Sequence, residues 1–372
     1  MDTGPARVAV VSFLAARAAP VGGFWIALAG GVAIARVAQR RGARLGFGAS
    51  IAAMLETIAI IGPARIGIPF TQAISAPMLG RLEARGWRPL PQMLACGLVR
   101  LLHNTATTAF FIWVIAGGLD AYAGTYDAIG RHLGIEIGTA DALLLTAAGL
   151  LAWAAFASTI QVLVYRSGLA LWDETEVDVE IQREPQAREP RSAARERRGD
   201  PRLLTLIAAV TFVVLLATTE WPALGLVAAG VALGWATTRK EKGVWRTGAA
   251  FAAILAGGAF AFGLGGGLGL DVAARRAARA ALLVLTATWL RGAAGAEGLR
   301  EVARRVLHRL RKVPAATEAA AVLDQIETEG RLAEAGKALE KQLRGVERRP
   351  VPLLDAVLAW VVTQARAETS RL

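Results

Sequence analysis

The chain has 372 residues, of which 54% are hydrophobic and 19% charged, with a net charge of +12. A mean hydropathy of +0.43, gathered into long apolar blocks between short basic loops, reads as an all-α, polytopic helical membrane protein. The arginines sit between those blocks in the positive-inside pattern, so the basic balance does not mark a nucleic-acid partner; a lone cysteine, Cys96, excludes a disulfide framework and a cysteine-based metal site.

In chain order, residues 1–20 lack a small-residue cleavage site after an apolar core, so no removable signal peptide is expected. Residues 20–36 form a first crossing that ends in a basic loop, Arg36, Arg40, Arg41 and Arg44, placed in the cytoplasm with the N-terminus outside. Residues 45–79 are apolar yet carry Glu56, Arg65 and Gln72 together with Pro63, Pro69 and Pro77. The spacing predicts a helix over 45–61, a turn at Gly62-Pro63, and a short return from Arg65 to Leu79 that Pro69 interrupts, a broken or re-entrant piece. An ionised side chain at membrane depth costs at least ~2.5 kcal/mol and needs a partner, and Glu56 and Arg65 are the nearest opposite charges. Such a pair fits a structural clasp around a kinked hairpin, and it also fits a site, because broken helices at this depth line cavities in many transporters.

After a second basic loop, Arg81, Arg85 and Arg88, residues 92–117 cross with Arg100, His103 and Thr107 at the spacing of one helical face. The hairpin is their expected partner, either as a site or as interhelical glue worth ~0.6–2 kcal/mol per group. The loop carrying Asp120, Asp127, Glu136 and Asp141 is placed outside, with Tyr122 and Tyr126 in the interfacial belt, and residues 142–165 return with Trp153 and Gln161 in an otherwise apolar run. Four further segments, 203–219, 221–238, 247–266 and 273–292, bring the expectation to about nine membrane segments in two bundles, one of them short or re-entrant. The glycine run 263–269 lacks the register, the preceding strand and the Lys-Ser/Thr of a phosphate loop, so it reads as a flexible outer turn. Beyond residue 297 the chain reads as soluble amphipathic helices; Leu299, Val302, Val306 and Leu310 share one face of the first, and such basic helices lie on a membrane surface or dock a partner. The expected organisation is an N-terminal membrane module (1–170), a charged, proline-containing cytoplasmic linker (171–202), a second membrane module (203–293) and a cytosolic helical tail (294–372).

The opening Gly199-Asp200-Pro201-Arg202, the four apolar segments after it and the run RRAARAALLVLTATWLRGAAGAEGLREVARRVLHRLRKVP carry a family resemblance. Over residues 199–366 the chain resembles the transmembrane coupling (T) component of energy-coupling factor transporters, the family that includes the cobalt-transport permease proteins. The resemblance implies cytosolic coupling helices whose Ala-Arg-Gly-like motifs dock on paired ATPase subunits. It points to Arg344 in Leu343-Arg344-Gly345 and to Arg366 in Gln364-Ala365-Arg366-Ala367, where alanine stands in place of the family's glycine. Walker motifs are missing, so the ATPases are expected as separate subunits, and residues 1–170 find no counterpart in that family.

Together these features lead to the expectation of a membrane transport component. Its N-terminal module binds a small solute, an anion suiting best, through Glu56, Arg65, Gln72, Arg100 and His103, and its C-terminal module couples to ATPase or other membrane subunits. No metal and no cofactor is expected, and H-E-x-x-H and G-x-S-x-G signatures are missing. Two alternatives stay open: a non-transporting scaffold that recruits partners through its linker and tail, and an intramembrane enzyme acting on lipid, with Glu56 and His103 as the acid–base pair.

Overall fold

Long runs of Ala, Leu and Val favour helix, and Gly and Pro decide where each helix starts and stops. The structure, a computed structural model, describes residues 4–18, 22–65, 69–174, 199–238, 242–328, 332–343, 345–347 and 349–369. Among them the helices are α1 (Gly4–Ala18), α2 (Gly23–Arg41), α3 (Ala43–Ile61), α4 (Pro69–Ala84), α5 (Pro89–Phe110), α6 (Leu119–His132), α7 (Thr139–Glu174), α8 (Pro201–Ala217), α9 (Trp221–Thr237), α10 (Lys242–Gly265), α11 (Leu270–Arg309), α12 (Pro314–Thr328), α13 (Leu332–Leu343) and α14 (Pro350–Thr369). A 3₁₀ turn, Pro63–Arg65, follows α3, and a π-helical turn, Phe111–Ala116, continues α5. The described residues contain no strand.

Four helices are long and apolar enough to cross a bilayer: α3, α5 with its π extension, α7 and α10. Helices α8 and α9 are as apolar but shorter. The apolar surface is distributed unevenly. On α5, Leu90, Leu94, Leu98 and Leu102 are exposed one turn apart, and α8 exposes Leu203, Ile207, Val210 and Val213. Among the described residues α1, α2 and α3 expose no large hydrophobic side chain. Those three helices form the interior: Phe13 of α1, Leu28 and Ile34 of α2, and Val357 and Val361 of α14 share one core. A second core joins Ala49 and Ala52 of α3 to Ala319, Leu323 and Ile326 of α12.

Several expectations change. The basic stretch Arg36–Arg41 is the end of α2 and not a loop; Arg36 is buried, donates to Gln39 at 2.9 Å and lies 5.8 Å from the centre of the Trp172 ring. Pro69 opens α4 instead of interrupting a helix, because a proline costs nothing in a first turn whose N–H has no partner anyway; Pro77 is the one inside. The acidic segment between α5 and α7 is helical over Leu119–His132 (α6), and Tyr122, expected in an interfacial belt, is buried with its hydroxyl 2.7 Å from that of Thr146. The charged segment after 170 begins as the end of α7, and residues 175–198 lie outside the described residues. The expected boundary at 293/294 falls inside α11, which breaks direction at Gly295 (φ 67°, ψ 172°) and then runs on. Helices α12 and α14, read as a tail, pack on α3 and α2.

What joins the two halves is a row of arginines on α11. Arg276 donates to the Ala116 carbonyl (2.8 Å), Arg279 to that of Val114 (2.5 Å) and Arg291 to that of Ile60 (2.8 Å). These carbonyls end the π turn and α3, where helical oxygens have no partner of their own and carry partial negative charge.

Candidate functional site

On α5 the buried polar face is Gln92, Cys96 and Arg100, spaced by four, opposite the exposed leucines. This differs from the expected Arg100–His103–Thr107 face: His103 is half-buried, Thr107 is exposed, and the Thr107 hydroxyl donates to the His103 carbonyl. Steps of three and four on α7 bury Ser158, Gln161 and Tyr165, and a step of three on α4 buries Gln72 and Ser75. Where the three faces meet, Gln161 is the hub. Its Oε1 accepts from Arg100 Nη2 (2.6 Å) and Nε (3.2 Å) and from Cys96 Sγ (2.9 Å). Its Nε2 donates to Gln72 Oε1 (2.8 Å) and Ser75 Oγ (2.7 Å). Tyr165 also donates to Gln72 Oε1 (2.8 Å), and Ser75 donates to the Thr71 carbonyl. Tyr165 reaches this position because residue 31 of α2 is glycine; a Cβ there would overlap the hydroxyl.

Two features of the network point beyond structure. Arg100 is 4% exposed, and among the described residues no carboxylate lies within ion-pair range of it. The Phe24 ring, 5.9 Å from the guanidinium carbon, offsets part of a buried cation. The acid on α4, Glu83, is held by Arg166 (3.0 Å) and Gln92 (2.6 Å). Gln72 Nε2 is buried and finds no acceptor among the described residues. A cation and an amide donor therefore sit in one network whose acceptors, among the described residues, are neutral oxygens that already take hydrogen bonds.

Glu56 lies elsewhere. Its carboxylate is fully buried and takes the Arg300 guanidinium as a fork, Nε to Oε2 at 2.8 Å and Nη2 to Oε1 at 2.5 Å; Glu297 is 3.3 Å from the same guanidinium. The partner expected from nearness in sequence, Arg65, closes the 3₁₀ turn, and its side chain lies outside the described residues. The five expected residues thus do not form one cluster: Gln72 and Arg100 meet through Gln161, and Glu56 belongs to the α3–α11 contact. With its carboxylate given to Arg300, Glu56 is not assembled with His103 as an acid–base pair. Of the two expected docking arginines, Arg344 lies outside the described residues, and so does the side chain of Arg366 at the end of α14.

Sequence reasoning noted Gln161 as a polar residue in an apolar run without placing it in the site, and it did not select Ser75, Cys96 or Tyr165. The four-residue step from Gln161 to Tyr165, matching that from Cys96 to Arg100, was the available signal. A groove of about 390 Å³ between α5 and α7, lined by Leu101, Thr105, Thr108, Leu143, Thr146 and Leu150 among others, opens to the surface and contains none of the network's side chains. No family model, curated protein or solved structure matches this chain.

Proposed function

We propose that the protein is a membrane transport component in which Arg100 receives the anionic group of a small solute. The observation that carries this reading is a nearly buried guanidinium whose hydrogen-bonded partner is one amide oxygen, joined through Gln161 to an amide donor without an acceptor among the described residues. Ionisable groups in apolar helices are costly and mark solute paths when their charge is left open. An anion bound between Arg100 and Gln72 Nε2 supplies a counter-charge to the one and an acceptor to the other. In the same reading about nine segments cross or enter the bilayer, with the N-terminus outside and the C-terminus cytoplasmic, supported by the arginines at 36–44 and 81–88. The coupling of α12–α14 to separate ATPase subunits rests on the family resemblance.

The non-transporting scaffold is the second reading, favoured by the sealing of the network: Gln72 and Gln161 are 0% exposed and Tyr165 1%. Thermal unfolding of the detergent-solubilised full chain against inorganic phosphate, sulfate, acetate and succinate separates the two. Transport predicts that at least one anion raises the midpoint and that Arg100→Met abolishes the rise while the variant remains folded, since Cys96 still donates to the Gln161 oxygen and no buried carboxylate is stranded among the described residues. No anion effect on the wild type, or an effect that survives in Arg100→Met, refutes the site and leaves the scaffold.

A further inference from the structure

Beyond the break at Gly295, α11 carries a surface unrelated to the Arg100 network. Val306, Leu310 and Val313 are each about half exposed, at 50%, 49% and 50%; Val306 and Leu310 stand one turn apart at the end of α11 and Val313 closes the turn that follows. The corner that joins α11 to α12 is tight: the Leu310 N–H bonds to the Val306 carbonyl (3.0 Å) and the Val313 N–H to that of Leu310 (2.8 Å). Arg309, Arg311 and Lys312 are exposed around this trio, and none has a carboxylate partner among the described residues. Elsewhere on the same stretch cations are paired: Arg304 with Asp324 and Arg305 with Glu301. The corner is thus both the most apolar and the least neutralised part of the segment.

Its position argues for what covers it. A Cβ on Gly298 would lie 3.0 Å from Pro201, the first residue of α8, whose capping Asp200 is exposed to water while Leu203 and Leu206 present apolar surface just beyond. The post-break half of α11 therefore leaves the bundle where an apolar helix meets water. At its far end, α12 returns along the start of α3: Glu318 pairs with Arg44 at 2.7 Å, next to the basic end of α2. A protein partner would call for an acidic face of matched shape; a bilayer surface calls for aliphatic side chains flanked by unpaired cations, which is what the corner presents.

We propose that the α11–α12 corner, Arg309 to Val313 with Val306, seats on an anionic phospholipid surface, its aliphatic trio among the upper acyl chains and its three cations on phosphate groups. Three cations near such a surface favour the seated state on the order of a hundredfold, an effect that salt weakens.

The test uses the full chain with Cys96 replaced by Ala, so that Leu310→Cys or, independently, Val306→Cys carries the only label, an environment-sensitive fluorophore. The protein is reconstituted in vesicles of phosphatidylcholine alone or with about a third phosphatidylglycerol. Blue-shifted emission and quenching by spin-labelled lipid in the anionic vesicles, reversed by high salt and by R309Q/R311Q/K312Q, is the expected result. Water-like emission at both sites in anionic vesicles overturns the proposal. So does equal quenching in the two vesicle types, or insensitivity to removal of the three cations.

Discussion

Arg300→Met tests the idea that one buried ion pair fixes α11 on α3. Glu56 is 0% exposed and both its oxygens accept from Arg300, whose side chain is 15% exposed. Removing one partner of a buried pair strands the other charge, at a cost of about 3–5 kcal/mol. The lower end, about 3 kcal/mol, applies here because the Arg300 side chain keeps some solvent. Glu56→Gln keeps an acceptor and removes the charge, so its cost should be nearer 1–2 kcal/mol. The double variant Glu56→Leu/Arg300→Met should return to within about 1 kcal/mol of wild type, since apolar replacement of a whole buried pair is tolerated. Unfolding of the full chain in mixed micelles by increasing SDS gives each free energy, and the cycle, closed with the single variant Glu56→Leu, gives a coupling of about 2 kcal/mol or more. Single substitutions that each cost under about 0.5 kcal/mol, or a double variant that merely sums them, refute the clasp.

The Gly31–Tyr165 contact supplies a second expectation: Gly31→Ala should displace the Tyr165 hydroxyl from Gln72 and cost about 1–3 kcal/mol, and Tyr165→Phe about 1 kcal/mol, read in the same unfolding assay. If Gly31→Ala is neutral, the close approach does not set the network's geometry. At the other end of the bundle, hydrogen bonds from Arg275 and from the Trp221 indole (2.7 Å) hold the Asp271 carboxyl below its ordinary value of 3.8. A depressed carboxyl stabilises the fold above its unfolded value and loses that contribution as pH falls through the folded one. The midpoint of Asp271→Asn should therefore lie below that of wild type at neutral pH and converge on it below pH 3.8; a gap that stays constant with pH contradicts this.

The all-helical class and most helix ends were legible in the residues themselves. Pro201, Pro89 and Pro314 each stand at the start of a helix, and Gly42 and Gly62 follow the ends of α2 and α3, because backbone rules act within a few residues. Periodicity also exposed the odd polar groups, Glu56, Gln72 and Arg100, as residues that must find partners in an apolar setting. It could not name those partners. Nearness in sequence suggested Arg65 for Glu56, yet the fold supplies Arg300, 244 positions away, because the docking of α11 on α3 brings that charge to the carboxylate. Gln161 became the hub for the same reason: a neutral amide in an apolar run carries little weight alone and much when two other buried polar faces converge on it. Local spacing decides which face of a helix is polar, whereas the order in which helices lie side by side decides what that face meets, and that order depends on long-range contacts that no single stretch encodes.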